Sequence, residues 1–221
     1  MMDAQLHSAP LTPAQHAAEA RIAYALEAPG GAAILCGPAG VGKTLLLERM
    51  AETVALQGQC LLADSCAIAR DWAAGSDPAE WPGMLLIDNA HLAADNDLAE
   101  LLENVAQAQV ALSLVLAGQG RLLTLAARHP QLARIVRVRA VLPPLSLEES
   151  QTLLAHRLGG LLTQPADAAM VRTLHEIAAG IPAEVVRLAD LAGLLLAADP
   201  TRPLVADDIE LIHRRASLQA A

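Results

Sequence analysis

Eight consecutive residues, Gly37-Pro38-Ala39-Gly40-Val41-Gly42-Lys43-Thr44, constrain this chain more than any other stretch of it. They fit the pattern GxxxxGK[ST] and lie between a short apolar run, Ala32–Cys36, and a helix-forming stretch at 43–57, so the local order reads strand, loop, helix. Glycines at this spacing allow a tight turn whose backbone N–H groups converge on one anion, and the following helix adds its positive N-terminal end. A lysine at the seventh position supplies a compact charge to the β- and γ-phosphates of a nucleotide, and the threonine after it offers a hydroxyl to Mg²⁺. Lys43 is the only lysine among 15 basic residues. Arginine is no easy substitute there, because its planar fork does not fit a cavity shaped for a point donor. ATP with Mg²⁺ is therefore the expected ligand, against the plainer reading of a glycine turn that holds nothing.

The rest of the chain supplies a frame for that loop. Thr12-Pro13-Ala14-Gln15 carries an N-cap, a proline at the first helical position and a capping-box Gln, which predicts a helix over 13–28, stopped by Pro29-Gly30-Gly31. Strands are expected at Ala32–Cys36, Cys60–Ala63, Met84–Ile87, 110–117 and 135–142, with helices at 43–57, Asp95–Ala108 and Arg121–Arg128 between them. Residues 64–83, with Trp72, Trp81 and several turn formers, predict at most a short helix. Alternating strands and helices imply a parallel sheet, since parallel neighbours need crossover connections. Pro143-Pro144 punctuates the chain, and beyond it helices are expected over Leu147–Leu158, 166–179, 182–197 and 206–216, with no further strand. The expected organisation is an α/β core over 1–143 and an all-helical lid over 144–221.

Composition excludes several classes of function. Ala and Leu supply about two fifths of 221 residues, Phe is absent, and 54% of the chain is hydrophobic, so the core is aliphatic and disorder is excluded. The longest apolar stretches fall short of the roughly 20 residues that cross a bilayer, so no membrane insertion is expected. Residues 1–10 lack a basic segment followed by an apolar one, so a secretory signal is not expected and the location expected is cytoplasmic. Cys36, Cys60 and Cys66 form no CxxC or Cys/His cluster, and the seven His residues show no helical pair at ligand spacing, so neither a disulfide framework nor a zinc site is expected. A net charge of −9 opposes unaided binding to nucleic acid or anionic membranes, although Arg128, Arg134, Arg137 and Arg139 offer a local basic patch.

A second carboxyl-bearing element completes the expected site. Met84-Leu85-Leu86-Ile87-Asp88 is four apolar residues of a buried strand followed by a carboxylate placed to hold Mg²⁺ through water. Related ATPases commonly put Glu directly after this Asp to polarise the attacking water. Here Asn89 stands in that position, and an amide cannot accept the proton. Loss of a general base costs about 10² to 10⁴ in rate. Slow turnover, a base from elsewhere, or binding without appreciable hydrolysis are the outcomes left open.

With these motifs in place, the chain from Leu11 onward resembles the AAA+ ATPase domain of ExeA/GspA-type general-secretion proteins, relatives of transposition ATPases. Leu11-Thr12-Pro13-Ala14-Gln15-His16 is similar to the family's entry motif, and the resemblance implies that Leu11 and His16 border the adenine. Leu114-Val115-Leu116-Ala117-Gly118-Gln119 is similar to the family's fourth core strand and its LAGQ ending, which implies a γ-phosphate sensor role for Gln119. Leu132-Ala133-Arg134-Ile135 and Leu142-Pro143-Pro144-Leu145-Ser146 resemble the passage into the lid, and Gly180-Ile181-Pro182 the turn that opens the sensor 2 helix. Ala183 stands where the family has the sensor 2 Arg, Arg187 lies one helical turn later, and the segment between Ala63 and Met84 is short for the family. Arg134 is the candidate arginine finger reaching a nucleotide bound by a neighbouring subunit, an ordinary solvated Arg being the competing reading; a finger requires head-to-tail assembly into a ring or filament.

Three functions fit this reading: a nucleotide-dependent switch or weak ATPase that recruits or remodels a protein partner, an active ATPase motor of a secretion or pilus-type assembly system, and an accessory ATPase of transposition or replication acting on DNA. Absence of both the expected Glu and the expected sensor Arg favours the first, because binding and switching need only phosphate and Mg²⁺ contacts whereas fast hydrolysis needs a placed base. Trp72 and Trp81 are candidate anchors for a partner, with burial under the sheet edge as the alternative.

Overall fold

The computed structural model describes residues 11–27, 29–55, 60–159, 161, 167–199 and 203–219. The expectation for 1–10, and the ends of the expected helices at residues 28, 56–57 and 166, lie outside them. Two compact units divide the chain, Leu11–Pro143 and Pro144–Ala221.

In the first unit the elements run α1 (Pro13–Leu26), β1 (Ala32–Cys36), α2 (Lys43–Ala55), β2 (Cys60–Ala63), α3 (Cys66–Gly75), β3 (Met84–Ile87), α4 (Asp95–Ala108), β4 (Ser113–Gly118), α5 (Arg121–Arg128), α6 (Pro130–Ile135) and β5 (Val136–Val141). Short 3₁₀ turns stand at Pro78–Glu80 and Ala90–Leu92. The five strands pair parallel in the order β2-β3-β4-β1-β5. Every residue of β1 and β4 is buried, as uninterrupted apolar runs must be when helices cover both faces of a parallel sheet. On one face Ala32, Ile34, Leu85, Ile87, Leu114 and Leu116 join Leu98, Leu101, Leu122 and Leu125 of α4 and α5 in one aliphatic core. α1 packs on β1 and β5, and α2 on β2 and β4.

The register matters most for the site. Cys36 pairs with Gly118, and Ile87 with Leu116, so the C-terminal ends of β1, β3 and β4 come to one edge of the sheet. Open parallel sheets place their ligands at that edge.

Three elements differ from the sequence expectation. Residues 64–83 hold a ten-residue helix, α3, because the Ser65 hydroxyl caps it by accepting from Ile68 N–H at 3.2 Å. Its Trp72 stacks at a tilt on Trp81, ring centroids 5.0 Å apart, and both are half-buried against the core rather than free in a loop. Arg134 and Ile135 belong to α6, a helix with Pro130 in its first turn, so the last strand starts only at Val136. β4 begins at Ser113, not at residue 110, because α4 ends on Gln109 in the left-handed region and the chain needs the next residues to reach the sheet. The thiols serve packing: Cys36, Cys60 and Cys66 are free, and burial, with Asp97 adding to it, pushes Cys66 up to about 12.

The second unit is helical: α7 (Leu147–Leu158), α8 (Ala168–Ile177), α9 (Pro182–Ala198) and α10 (Ala206–Gln219). Ser146 and Glu149 close the expected capping box on α7, with bonds of 3.2 and 2.8 Å. Leu154, Leu158, Met170, Leu174, Val185, Leu188 and Ile209 fill its core. Gly180, at φ +66°, sits so close to Leu145 that a Cβ would meet the Leu145 carbonyl at 2.6 Å, and Leu145 N–H donates back to Gly180 O at 2.7 Å. Arg157 holds Asp190 by two parallel bonds of 2.6 and 2.9 Å. No helix among the described residues is long and apolar enough to cross a membrane.

Ile34 is fully buried in a central strand, whereas Tyr24 is 71% exposed on α1. Ile34→Ala is expected to cost about 2–5 kcal/mol in denaturant unfolding and Tyr24→Ala about 0.5 kcal/mol or less.

Candidate functional site

Residues 37–44 join the end of β1 to the start of α2. Gly37 is held at its root: its N–H donates to Gly118 O at 3.2 Å, and a Cβ there would meet Leu142 O at 2.6 Å and Val41 Cγ2 at 2.9 Å. Gly40 and Gly42 have φ of +76° and +94°, a conformation that L side chains rarely adopt. Pro38, Ala39 and Gly40 form the exposed rim, and Val41 is tucked into the core beneath it.

Lys43 is the first residue of α2, and its ammonium turns back into the loop. Nζ donates to Gly37 O at 3.0 Å and to Pro38 O at 2.7 Å, and the residue is only 8% exposed. Burial lowers its pKa from the ordinary lysine value, against the pull of Asp88 and Cys36. The neighbouring Thr44 hydroxyl donates to Oδ2 of Asp88, a residue 44 positions away that the parallel pairing of β1, β4 and β3 brings to its side. Asp88 is 4% exposed, and its other oxygen accepts the Asn89 N–H at 2.7 Å. A hydroxyl and a carboxylate in contact, beside a buried ammonium and a glycine turn at the start of a helix, can take a polyphosphate with a hard divalent cation.

Asn89 has φ +49° and ψ 24°. Asn is among the few non-glycine residues that tolerate this left-handed conformation, so the position has a backbone requirement besides any chemical one. From it the 3₁₀ turn Ala90–Leu92 carries His91 back under β4. The site contains two residues that motif reading passed over. Gln15, noted only as a helix cap, is buried and accepts Thr12 N–H at 2.9 Å, while its Nε2 lies 2.7 Å from where a Cβ on Gly42 would stand. His91 is buried near Lys43 and Asp88, and no motif singled it out in sequence.

Other residues singled out in sequence lie as follows. Leu11 is buried before α1, and the His16 side chain is exposed and faces Glu19 at 4.0 Å, so Gln15 and not His16 meets the loop. Gln119 is exposed, directly beyond the end of β4, and its carbonyl accepts Leu122 N–H at 2.8 Å. Arg134 is exposed near the end of α6, two residues ahead of β5, and therefore toward the edge of the sheet opposite Lys43. Arg137 and Arg139 are exposed along β5. In the helical unit Ala183 lies in the first turn of α9, and Arg187 pairs with Glu184 at 2.7 Å.

No family model and no curated protein matches the sequence. Solved structures do match in three dimensions. The Thermotoga maritima RuvB Holliday junction branch migration motor superposes with a TM-score of 0.68 at 16% identity, over 91% of this chain and 67% of that one. The Aeropyrum pernix ORC2 protein, solved as ADPNP-ADP complexes, gives 0.60 at 15%, over 91% and 66%. A structure describing katanin self-assembly gives 0.62 at 15%, over 93% and 82%. All three are AAA+ ATPases, and the likeness is one of fold: a P-loop parallel α/β core flanked by helices and followed by an all-helical segment, the AAA+ architecture.

Proposed function

We propose that this chain binds ATP with Mg²⁺ at residues 37–44 and works as a nucleotide-dependent switch or weak ATPase that recruits or remodels a protein partner. The observation that carries this reading is the buried Lys43 ammonium, enclosed by loop carbonyls beside the joined Thr44 and Asp88 side chains. The residues fit the ligand: two positive-φ glycines and the start of α2 make an anion cradle, and the hydroxyl–carboxylate pair suits a hard cation. Backbone amides of the loop would hold the β-phosphate, Lys43 the β- and γ-phosphates, and Thr44 with Asp88 the Mg²⁺. When bound, Mg²⁺ offsets the negative charge on the phosphate oxygens. Leu11 and His16 are assigned to the adenine end and Gln119 to the γ-phosphate, following the ExeA/GspA-type resemblance.

Asn89 stands where a general base is wanted and is held by a backbone conformation that disfavours Glu. Slow turnover follows. A weak enzyme of this design uses bound nucleotide mainly to set its own conformation and assembly, with Arg134 reaching the nucleotide of the next copy in a head-to-tail oligomer. A second reading, action on DNA, is favoured by the exposed Arg134, Arg137 and Arg139.

Calorimetry of the full chain with Mg²⁺ and ATP should give micromolar binding, and Lys43→Ala should weaken it at least tenfold; equal binding by the variant would overturn the site. Asn89→Glu should raise ATP hydrolysis by about tenfold or more while costing about 1 kcal/mol of stability from its positive φ, a cost that Asn89→Gly avoids. A rate unchanged in a folded Asn89→Glu protein places Asn89 away from the water. The DNA reading requires duplex binding near 50 mM salt that falls steeply as salt rises; absence of binding there removes it.

A further inference from the structure

His91 is the residue of the site whose chemistry is unspent. The turn Ala90–Leu92 tucks it beneath the last residue of β4, so closely that a Cβ on Gly118 would stand 3.0 Å from His91 Cβ, 3.0 Å from its backbone N and 3.1 Å from its Nδ1. Glycine at position 118 leaves room for the ring, and a Cβ there would press on it. Arg121, the first residue of α5, donates from Nη1 to His91 O at 2.9 Å. One residue therefore ties together, through its ring and its backbone carbonyl, the end of the Asp88 strand, the end of the Gln119 strand and the helix pair that leads to Arg134.

Its own hydrogen bonding is incomplete. His91 is 8% exposed, and among the described residues its Nδ1 is buried without a partner. Leaving such a group unpaired is costly, and an aliphatic side chain of similar volume would fill the space without that penalty. Burial, Lys43 and Arg121 lower its pKa against the opposing pull of Asp88, which keeps a neutral ring with one N–H and one lone pair. A neutral imidazole offers a directed hydrogen bond rather than a charge.

We propose that His91 is a positioning residue for the triphosphate state: its unpaired ring nitrogen gains a hydrogen-bond partner when ATP fills the site and lacks one with ADP, so that the tie joining Asp88 to Gly118-Gln119 and α5 tightens only in the ATP form. This deepens the ATP-binding reading and rests on it. The same contact supplies what a switch needs, a state-dependent link between the phosphate end and a helix pair beyond it.

Nitrogen NMR of the full chain labelled with ¹⁵N-histidine reads the ring directly, His91→Asn identifying its signals by their loss. Calorimetry first establishes saturation with Mg·ADP or with Mg and a non-hydrolysable ATP analogue. The His91 nitrogens should shift with the ATP analogue and keep their free-state positions with ADP. In binding, His91→Leu should lose about tenfold of the preference for the ATP analogue over ADP, and His91→Asn, whose amide replaces Nδ1, should restore it. Identical His91 signals in the two saturated states overturn the inference. So does a folded His91→Leu protein with the wild-type preference. No heat with either nucleotide overturns the ATP-binding reading beneath it, which separates the two failures.

Discussion

An ammonium group withdrawn from water must be surrounded by oxygen, and the site is organised around that requirement. Lys43 meets it with the carbonyls of Gly37 and Pro38 and with the nearby Asp88 carboxylate. The loop can offer those carbonyls only because Gly40 and Gly42 accept positive φ and Gly37 leaves no Cβ to strike Leu142. Asp88 arrives only because β3, β4 and β1 run parallel and in register, with Leu116 opposite Ile87 and Gly118 opposite Cys36. The sheet topology is thus a condition of the charge arrangement.

Parts of this were legible in the residues and parts were not, for separable physical reasons. β1, β2 and β3 are uninterrupted apolar runs bounded by turn formers, and α7 opens on the Ser146 and Glu149 capping box and closes on Gly159, so their limits follow from local chemistry. α3 and α6 were obscured because each depends on a single local feature, the Ser65 hydroxyl and the ring of Pro130, within stretches dominated by turn formers. In the site, Lys43, Thr44 and Asp88 announce themselves through spacing. Gln15 and His91 do not, because their significance lies in what they touch, Gly42 and Gly118, and such contacts exist only after the chain has closed.

Asn89 shows how one residue answers two demands. Motif comparison reads it as a missing base. Its left-handed backbone gives a second reason for the residue, since the 3₁₀ turn that seats His91 begins from that conformation and Asn adopts it at little cost. An amide at this position, beside an intact Lys43, Thr44 and Asp88, is what the proposed switch or weak ATPase calls for. Its structural neighbours share the architecture at 15–19% identity, a distance at which the frame persists while the chemistry along its edge diverges.

The most direct measurement of the central claim is thermal unfolding followed across a titration of ADP with Mg²⁺. A nucleotide held at the Lys43 loop stabilises the folded state by about 2.7 kcal/mol at a hundred times its dissociation constant, so the midpoint should climb by roughly 5–10 °C and keep rising with the logarithm of concentration. A midpoint that stays level up to millimolar ADP would contradict the claim that the glycine turn and its lysine form a nucleotide site.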